Sequence, residues 1–278
     1  MRLTFLGTGA AEGIPSPFCD CPGCTHARAY GGRNVRSRQS VLVDDKLLVD
    51  IGPDVFASCA RLGVSLLSLE AVLVTHSHLD HFDPSALKLR AKPFRLATEL
   101  PEIAVAAGPS VWTRWDESGG SDEYAGIRRA PMMPGRRLRL PSYEVEAIEA
   151  SHHLRIGDAM NYIIDDGIVL LLYASDTGLY ADHVWETLSG RKLDAVVMEG
   201  TIWSRPPGRE HLNRGDFGTM VERLRGIGAI GDGTVVVATH FSHQGIRSHE
   251  ETEADLRSMG AVCAYDGLVL DIGPAAHR

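Results

Sequence analysis

The 278-residue chain has no apolar run approaching the roughly 18–20 residues that a helical membrane span needs. It has little positive charge. Lys and Arg number 28 against 36 Asp and Glu, for a formal net charge of −8 and a pI near 5.8. That balance argues against a general nucleic-acid binder, which carries a basic face. The arginines still gather locally, as Arg28, Arg33, Arg36 and Arg38, and as Arg128, Arg129, Arg136, Arg137 and Arg139. Each group reads either as solvated loop charge or as an anion-binding patch. There is no low-complexity segment, tandem repeat or obvious interdomain linker. The opening residues, Met1-Arg2-Leu3-Thr4-Phe5-Leu6, lack the length and cleavage site of a signal peptide and read as a strand entering the core. A cytoplasmic location, with no membrane partner, is the expectation. What is present is ordinary for a globular protein with a sizeable core, at 44% hydrophobic and 23% charged. Residues 1–278 are expected to form one domain.

Strands are expected near 2–6, 39–44, 46–51 and 71–75, the second and third joined by a hairpin turn at Asp44-Asp45. A helix is expected near 54–62, and another after Asp83-Pro84, because Pro suits the first helical position. Residues 94–132 read as irregular, with Ser118–Asp122 an exposed tip. Strands resume near 137–140, 143–149, 159–165 and 168–173, the last two joined at Asp166-Gly167, a hairpin signal. Further strands near 194–199 and 234–238 flank a helix near 214–227. A helix near 248–259 and strands near 261–265 and 267–271 end the chain. Early strand runs and later strand–helix alternation predict sheets covered by helices, an α+β class.

The chemistry concentrates in Thr75-His76-Ser77-His78-Leu79-Asp80-His81, where three imidazoles and a carboxylate fall within six residues. The apolar run Ala71–Val74 delivers this cluster at a strand end. Imidazole and carboxylate are the usual donors for zinc and related divalent ions. His76 and His78 share one face of an extended segment, whereas Asp80 and His81, past the turn, point elsewhere. That division suits two adjacent metals better than one.

Cysteine is sparse, at five residues, yet Cys19, Cys21 and Cys24 form a C-x-C-x2-C run. In a reducing compartment such crowding favours metal over disulfide. Three thiolates need one more ligand to complete a tetrahedral zinc site. Cys59, in an expected helix, and Cys263, in an expected strand, read as small buried hydrophobes.

Other candidate ligands also follow apolar strands: Ser151-His152-His153, Ala174-Ser175-Asp176, and Thr239-His240-Phe241-Ser242-His243. Taken singly, Asp176 reads as a turn or helix cap and each His as an ordinary polar residue. Four such strand ends in one chain are together enough to hold two metals. The loop Gly7-Thr8-Gly9-Ala10-Ala11-Glu12-Gly13 has the wrong glycine spacing for a dinucleotide fingerprint, and Ile14-Pro15-Ser16-Pro17 disfavours the helix that would follow one. It reads as a tight backbone loop beside the metal site.

With these residues in place, the chain resembles the metallo-β-lactamase superfamily, whose H-x-H-x-D-H signature stands here as His76, His78, Asp80 and His81. His152, Asp176 and His240 match the ordered remainder. Within the superfamily it is similar to the phosphodiesterases of the carbon–phosphorus lyase pathway, which open a ribosyl cyclic phosphate. The early Gly-Thr-Gly loop, the cysteine run and the segment Thr239–Gln244 carry that likeness. A protein family of pyrroloquinoline quinone biosynthesis shares the cysteine run, but its members tend to lack an intact H-x-H-x-D-H.

The resemblance implies a four-layer αβ/βα sandwich with two divalent ions, zinc or manganese, at one edge. It assigns His76, His78 and His152 to the first ion and Asp80, His81 and His240 to the second, with Asp176 bridging. Asp80 counts as catalytic as well as ligating. His243 would complete a structural zinc with Cys19, Cys21 and Cys24 in a zinc-binding loop at about residues 15–30. Asp50 would orient the ligand loop from behind, and His211 would be the general acid, provided Glu210 or another carboxylate stabilises its imidazolium. The implied activity is hydrolysis of small, cyclic phosphate esters through a metal-bridging hydroxide. The alternatives are an RNA-processing nuclease, which would carry a basic arm absent here, a hydrolase of lactones or other carbonyl esters, or a non-hydrolytic biosynthetic protein. A homodimer is compatible with the sequence. Trp112, Trp115 and Trp203 read as lid or packing residues, and Arg205 and Arg209 as candidate phosphate contacts.

Overall fold

The computed structural model describes residues 1–95 and 99–275. Residues 96–98, inside the stretch read as irregular, and residues 276–278 lie outside the described residues.

The first sheet begins with strands β1 (Arg2–Gly7), β2 (Ser40–Val43), β3 (Leu47–Val49) and β4 (Ala71–Leu73), with helix α1 (Pro22–Tyr30) after β1 and α2 (Val55–Leu62) between β3 and β4. The β2–β3 hairpin turns at Asp44 and Asp45, both at positive φ, as expected of a tight primed turn. Helix α3 (Pro84–Lys88) starts at Pro84, and Asp83 caps it by accepting the Ser85 amide.

The expectation of irregular structure over 94–132 is corrected. The described part holds β5 (Ile103–Ala107), α4 (Pro109–Glu117), α5 (Asp122–Ala125) and β6 (Ile127–Pro131). β5 has the sequence IAVAA, whose small residues give weak strand propensity. Its identity comes from parallel pairing with β4 and β6 on either side. Trp112 and Trp115 on α4 are buried, and so is Trp203, so all three pack rather than form a lid. Ser118–Asp122 is a turn whose end is the start of α5, capped by Ser121.

The second sheet takes β7 (Arg137–Arg139), β8 (Glu144–Glu149), β9 (Met160–Asp165), β10 (Leu170–Ala174), β11 (Ala195–Glu199), β12 (Val235–Thr239) and β13 (Ala261–Cys263). Helices α6 (Asp182–Leu188), α7 (Arg214–Gly226) and α8 (His249–Ser258) connect them. β14 (Val269–Asp271) returns to the first sheet. The strand orders are β14-β1-β2-β3-β4-β5-β6 and β13-β12-β11-β10-β9-β8-β7.

Three apolar clusters fill the three interfaces of a four-layer sandwich. Between the sheets lie Phe5, Leu47, Val49, Leu73, Val145, Tyr162, Leu171, Tyr173 and Val197. The residues between them in sequence point the other way. Leu48 and Val72 meet α2, α3 and α4 through Val55, Leu87 and Trp115, and Leu172 and Val196 meet α6, α7 and α8 through Trp185, Phe217 and Leu256. Strands buried on both faces explain why these runs are continuously apolar rather than alternating. The α+β four-layer sandwich is as expected. No helix among the described residues is long and apolar enough to cross a membrane.

Candidate metal centre

The central strands direct their C-terminal ends to one edge. β3 and β4 are parallel, as are β10, β11 and β12. β8 pairs antiparallel with β9, and β9 antiparallel with β10, so β8 runs the same way as β10. Asp50, His76, His152, Asp176, Glu199 and His240 sit at the ends of these strands and therefore meet at one edge. Crevices at such strand ends are where ligands bind in α/β sheets.

Two donor sets converge there. In the first, His78 Nδ1 stands 2.9 Å from His76 Nε2 and 3.2 Å from His152 Nε2, and Asp176 Oδ2 lies 3.5 and 3.6 Å from those same Nε2 atoms. In the second, His81 Nε2 is 3.1 Å from Asp80 Oδ2, 3.2 Å from Asp176 Oδ2 and 3.2 Å from His240 Nε2. Ligands at about 2.0–2.1 Å around a tetrahedral ion stand about 3.3 Å apart, so both spacings suit a metal. Asp176 Oδ2 belongs to both sets, which suits a dinuclear site.

On His76, His81, His152 and His240 the other ring nitrogen is held from behind, as ligating histidines require. His81 Nδ1 is 2.7 Å from Asp50 Oδ2. Thr75 donates its hydroxyl to Asp50 and lies 3.1 Å from His76 Nδ1. His152 Nδ1 faces the Glu210 carbonyl at 3.1 Å, and His240 Nδ1 faces Thr201 Oγ1 at 2.8 Å. His153 turns away at φ 52°, its ring against His78 with centroids 4.3 Å apart, so His152 is the residue that joins the set. Asp50, Asp176 and His240 also have positive φ, a conformation costing of order 1–3 kcal/mol for non-glycine residues and typical of functional sites. A Cβ on Gly52 would stand 2.0 Å from the Asp80 carbonyl oxygen, so only glycine lets the ligand loop close down there.

Electrostatics divide the two sets. Burial, then the charge on His81, holds His76 well below the ordinary imidazole range. Burial, with His152 and His153 nearby, lowers His78 to about 4. Burial also lowers His152, against the pull of Asp176. In the second set burial is outweighed by carboxylates. Asp80, Asp176 and Asp50 push His81 well above its usual value, and Asp176 raises His240 to about 10. One set is an imidazole pocket ready to ligate. In the other, ionised carboxylates favour protons on the imidazoles of His81 and His240, protons that a metal would displace.

His211 lines the same cavity, which measures about 300 Å3. Its Nδ1 lies 2.8 Å from Glu199 Oε1. Burial opposes its protonation, but Glu199 wins and raises it to about 9. The stabilising carboxylate is thus Glu199, not Glu210. Glu199 is fully buried and also accepts the amides of Thr177, Thr201 and Leu212. The sequence reading missed Glu199, Thr75 and Thr201. The only available signal was a carboxylate ending an otherwise apolar strand.

Cys19, Cys21, Cys24 and His243 form a separate cluster with donor atoms within 4.8 Å of one another. Cys21 Sγ stands 3.3 Å from His243 Nδ1, and the Ser16 amide donates to Cys24 Sγ. Burial raises Cys21, but the Cys24 amide and His243 outweigh it and lower it to about 7. Glu12 Oε1 lies 3.2 Å from His243 Nε2 and orients the ring, another role the sequence did not reveal. The expected zinc loop is half helix, since α1 starts at Pro22 with Cys21 as its cap.

Several arginines of the two groups are already engaged. Arg38 pairs with Asp54, Arg128 with Glu102, Arg129 with Asp116 and Asp122, and Arg137 with Glu146. Arg36 is buried. Arg205 and Arg209 are exposed and do not line the cavity that holds the two donor sets.

A fold with two facing sheets and paired donor sets at one edge defines a metal-binding α+β class, and the family comparison agrees. The profile of the beta-lactamase superfamily domain matches residues 45–241, and the chain belongs to the metallo-β-lactamase superfamily. It is 26% identical to the coenzyme PQQ synthesis protein B of Methylobacterium sp. (strain 4-46), over 98% of this chain and all of that one. An octanoyltransferase of Porphyromonas gingivalis is 35% identical over only 85 residues, and the chain spans 16% of its length. Among solved structures, a diphosphatase of the PhnP family superposes with a TM-score of 0.76 at 23% identity, covering 99% of both chains. Zinc-bound PqqB of Methylobacterium extorquens gives 0.74 at 19% identity, covering 98% of this chain and all of that one. At these identities the structural likeness speaks for the fold.

Proposed function

We propose that this protein is a dinuclear metal-dependent phosphodiesterase acting on small, cyclic phosphate esters. The observation that carries the reading is Asp176 Oδ2, shared by two complete donor sets, with His211 on the same cavity wall. His76, His78 and His152 would hold one ion and Asp80, His81 and His240 the other, Asp176 bridging. Bound there, two divalent ions would supply Lewis-acid stabilisation of the phosphate and a nucleophile drawn from water near neutral pH. The protein's own part is geometric and protic. Glu199 takes the Nδ1 proton of His211 in a hydrogen bond, which leaves Nε2 to carry a proton toward the leaving oxygen. The cavity of about 300 Å3 supports a small substrate. Zinc suits the thiolate cluster, whereas the nitrogen and oxygen donors accept zinc or manganese.

A second reading, a non-hydrolytic biosynthetic protein, is favoured by the end-to-end match to PQQ synthesis protein B. One experiment separates the two. Purified protein is assayed for metal content and for hydrolysis of bis-p-nitrophenyl phosphate and a ribose cyclic phosphate. Turnover that chelation abolishes and metal restores is expected. A full metal complement without turnover of either ester would overturn the phosphodiesterase reading and favour the second.

A further inference from the structure

Arg36 is a buried cation whose hydrogen-bond partners are all neutral. Its side chain is among the largest fully buried ones. Nη1 donates to Thr8 Oγ1 at 2.8 Å and to the Ala264 carbonyl at 2.6 Å. Nη2 reaches His249 Nδ1 at 3.1 Å and Cys263 Sγ at 3.6 Å. Burial and Arg36 itself lower His249 to about 4, and burial raises Cys263, so both face the guanidinium uncharged. Nε has no partner among the described residues. Asp266 is reached only through the Thr8 hydroxyl, and burying a charge with no carboxylate in direct contact is costly, so its retention calls for a role.

The role is visible at the face of the Phe241 ring. Arg36 Cζ lies 4.8 Å from the centroid of the Phe241 ring, a cation–π contact in a dry setting. Phe241 is the residue after His240, which holds a left-handed backbone at φ 57°. The Phe241 amide donates to the Thr8 carbonyl and its carbonyl accepts from Ala10. Thr8 is itself held through its side chain by Arg36. One guanidinium thus fixes Phe241 twice, through its ring and through the loop that clamps its backbone.

We propose that Arg36 is a positioning residue that holds His240 in its strained conformation, through Phe241 and Thr8, so that Nε2 points at the second metal position. This rests on the dinuclear reading above. The strain at residue 240 would relax if the next residue were free, and the imidazole would swing off its donor set. The three imidazoles of the first donor set, His76, His78 and His152, come from β4 and β8 and do not depend on this clamp; only the shared Asp176 meets His240, 2.8 Å from its Nδ1.

The test is a cobalt(II) titration of protein freed of its active-site metals, followed by visible absorption and calorimetry. In wild type two ions bind. In Arg36→Met, which keeps the apolar stem but not the guanidinium, the second ion should bind about 10–100-fold more weakly, the scale for losing an outer support of a ligand, while the first binds as before. Arg36→Lys should recover part of the loss. A purely structural residue would lower thermal stability and leave the ratio of the two affinities alone, so an unchanged ratio overturns the proposal. If Arg36→Met fails to fold, Phe241→Leu removes the ring face while keeping the backbone, and the same change in ratio is required of it. A wild type that takes up a single ion overturns the dinuclear reading and this proposal together. Two ions in wild type with an unshifted ratio in the variants overturns this proposal alone.

Discussion

The two donor clusters of this chain are assembled in opposite ways. The His/Asp cluster draws on the ends of β4, β8, β10 and β12, from both sheets, and its members are almost all fully buried. The cysteine cluster takes three donors from six consecutive residues of one half-exposed loop and only His243 from far away. The first exists only when both sheets stand in register. The second is nearly complete in the local chain, and folding adds a single ligand. The geometry of the His/Asp cluster therefore comes from global architecture, whereas the thiolate cluster is a local clip whose one distant member, three residues past His240, fastens the N-terminal loop to that same edge.

The sharpest way to break the comparison is at Asp176, the one residue on which both halves of the His/Asp cluster depend. Asp176→Asn should reduce hydrolysis to background and lower the active-site metal content by about one ion per chain, while the zinc on the cysteines stays. Metal analysis by mass spectrometry beside the phosphodiester assay checks this. Retention of full activity would mean that the two donor sets work independently.

His211 is next. It stands outside the two proposed donor sets, although it converges with Asp176 and Glu199, and it lines the same cavity. His211→Ala should keep the metal content and lower turnover of alkyl phosphodiesters by about 10²–10⁴-fold, the usual worth of a positioned acid. The loss should be far smaller for esters of nitrophenolate, which leaves without a proton. Equal losses for both leaving groups would refute the acid role.

The clip itself is tested by Cys21→Ser. Its thiol caps α1 and meets His243, so the variant should lose about one zinc per chain and melt several degrees lower, with both active-site ions retained. Turnover should fall modestly, about tenfold, because the strand end carrying His240 loses its brace. Metal counting and thermal melts separate this from a direct catalytic effect.

How much of this was legible in the sequence follows the same division. The cysteine run and H-x-H-x-D-H are local patterns and could be read directly. His152, Asp176 and His240 each follow an apolar strand, so their setting was legible one by one, and their joining in one site was read from the four strand ends taken together and from the family resemblance. What could not be read was what stands behind the ligands. Glu199 ends a strand like any other polar residue, and only the parallel pairing of β11 with β10 and β12 brings it to Thr177, Thr201 and His211. Arg36 sat in a run of arginines that read as solvated loop charge or as an anion-binding patch, and its burial is decided by segments around residues 8, 241 and 264. β5 was lost because alanine carries little strand signal without neighbouring strands.

Glu12 sharpens the comparison most finely, because it joins the clip to the active edge without ligating in either. Its carboxylate lies 3.2 Å from His243 Nε2 and receives the Ser242 hydroxyl, and it lines the cavity of the His/Asp cluster. A carboxylate on the far nitrogen fixes the tautomer that leaves Nδ1 free to ligate and raises its basicity. Glu12→Gln keeps the shape and one hydrogen bond but removes the charge. Zinc affinity of the cysteine site should fall about tenfold, at the low end for such supports, as measured by competition with a chromogenic chelator. Turnover should change less than in Cys21→Ser, since the zinc still binds at ordinary concentrations and the brace stays in place. A larger loss of turnover than of zinc affinity would place Glu12 in the catalytic set rather than behind the clip.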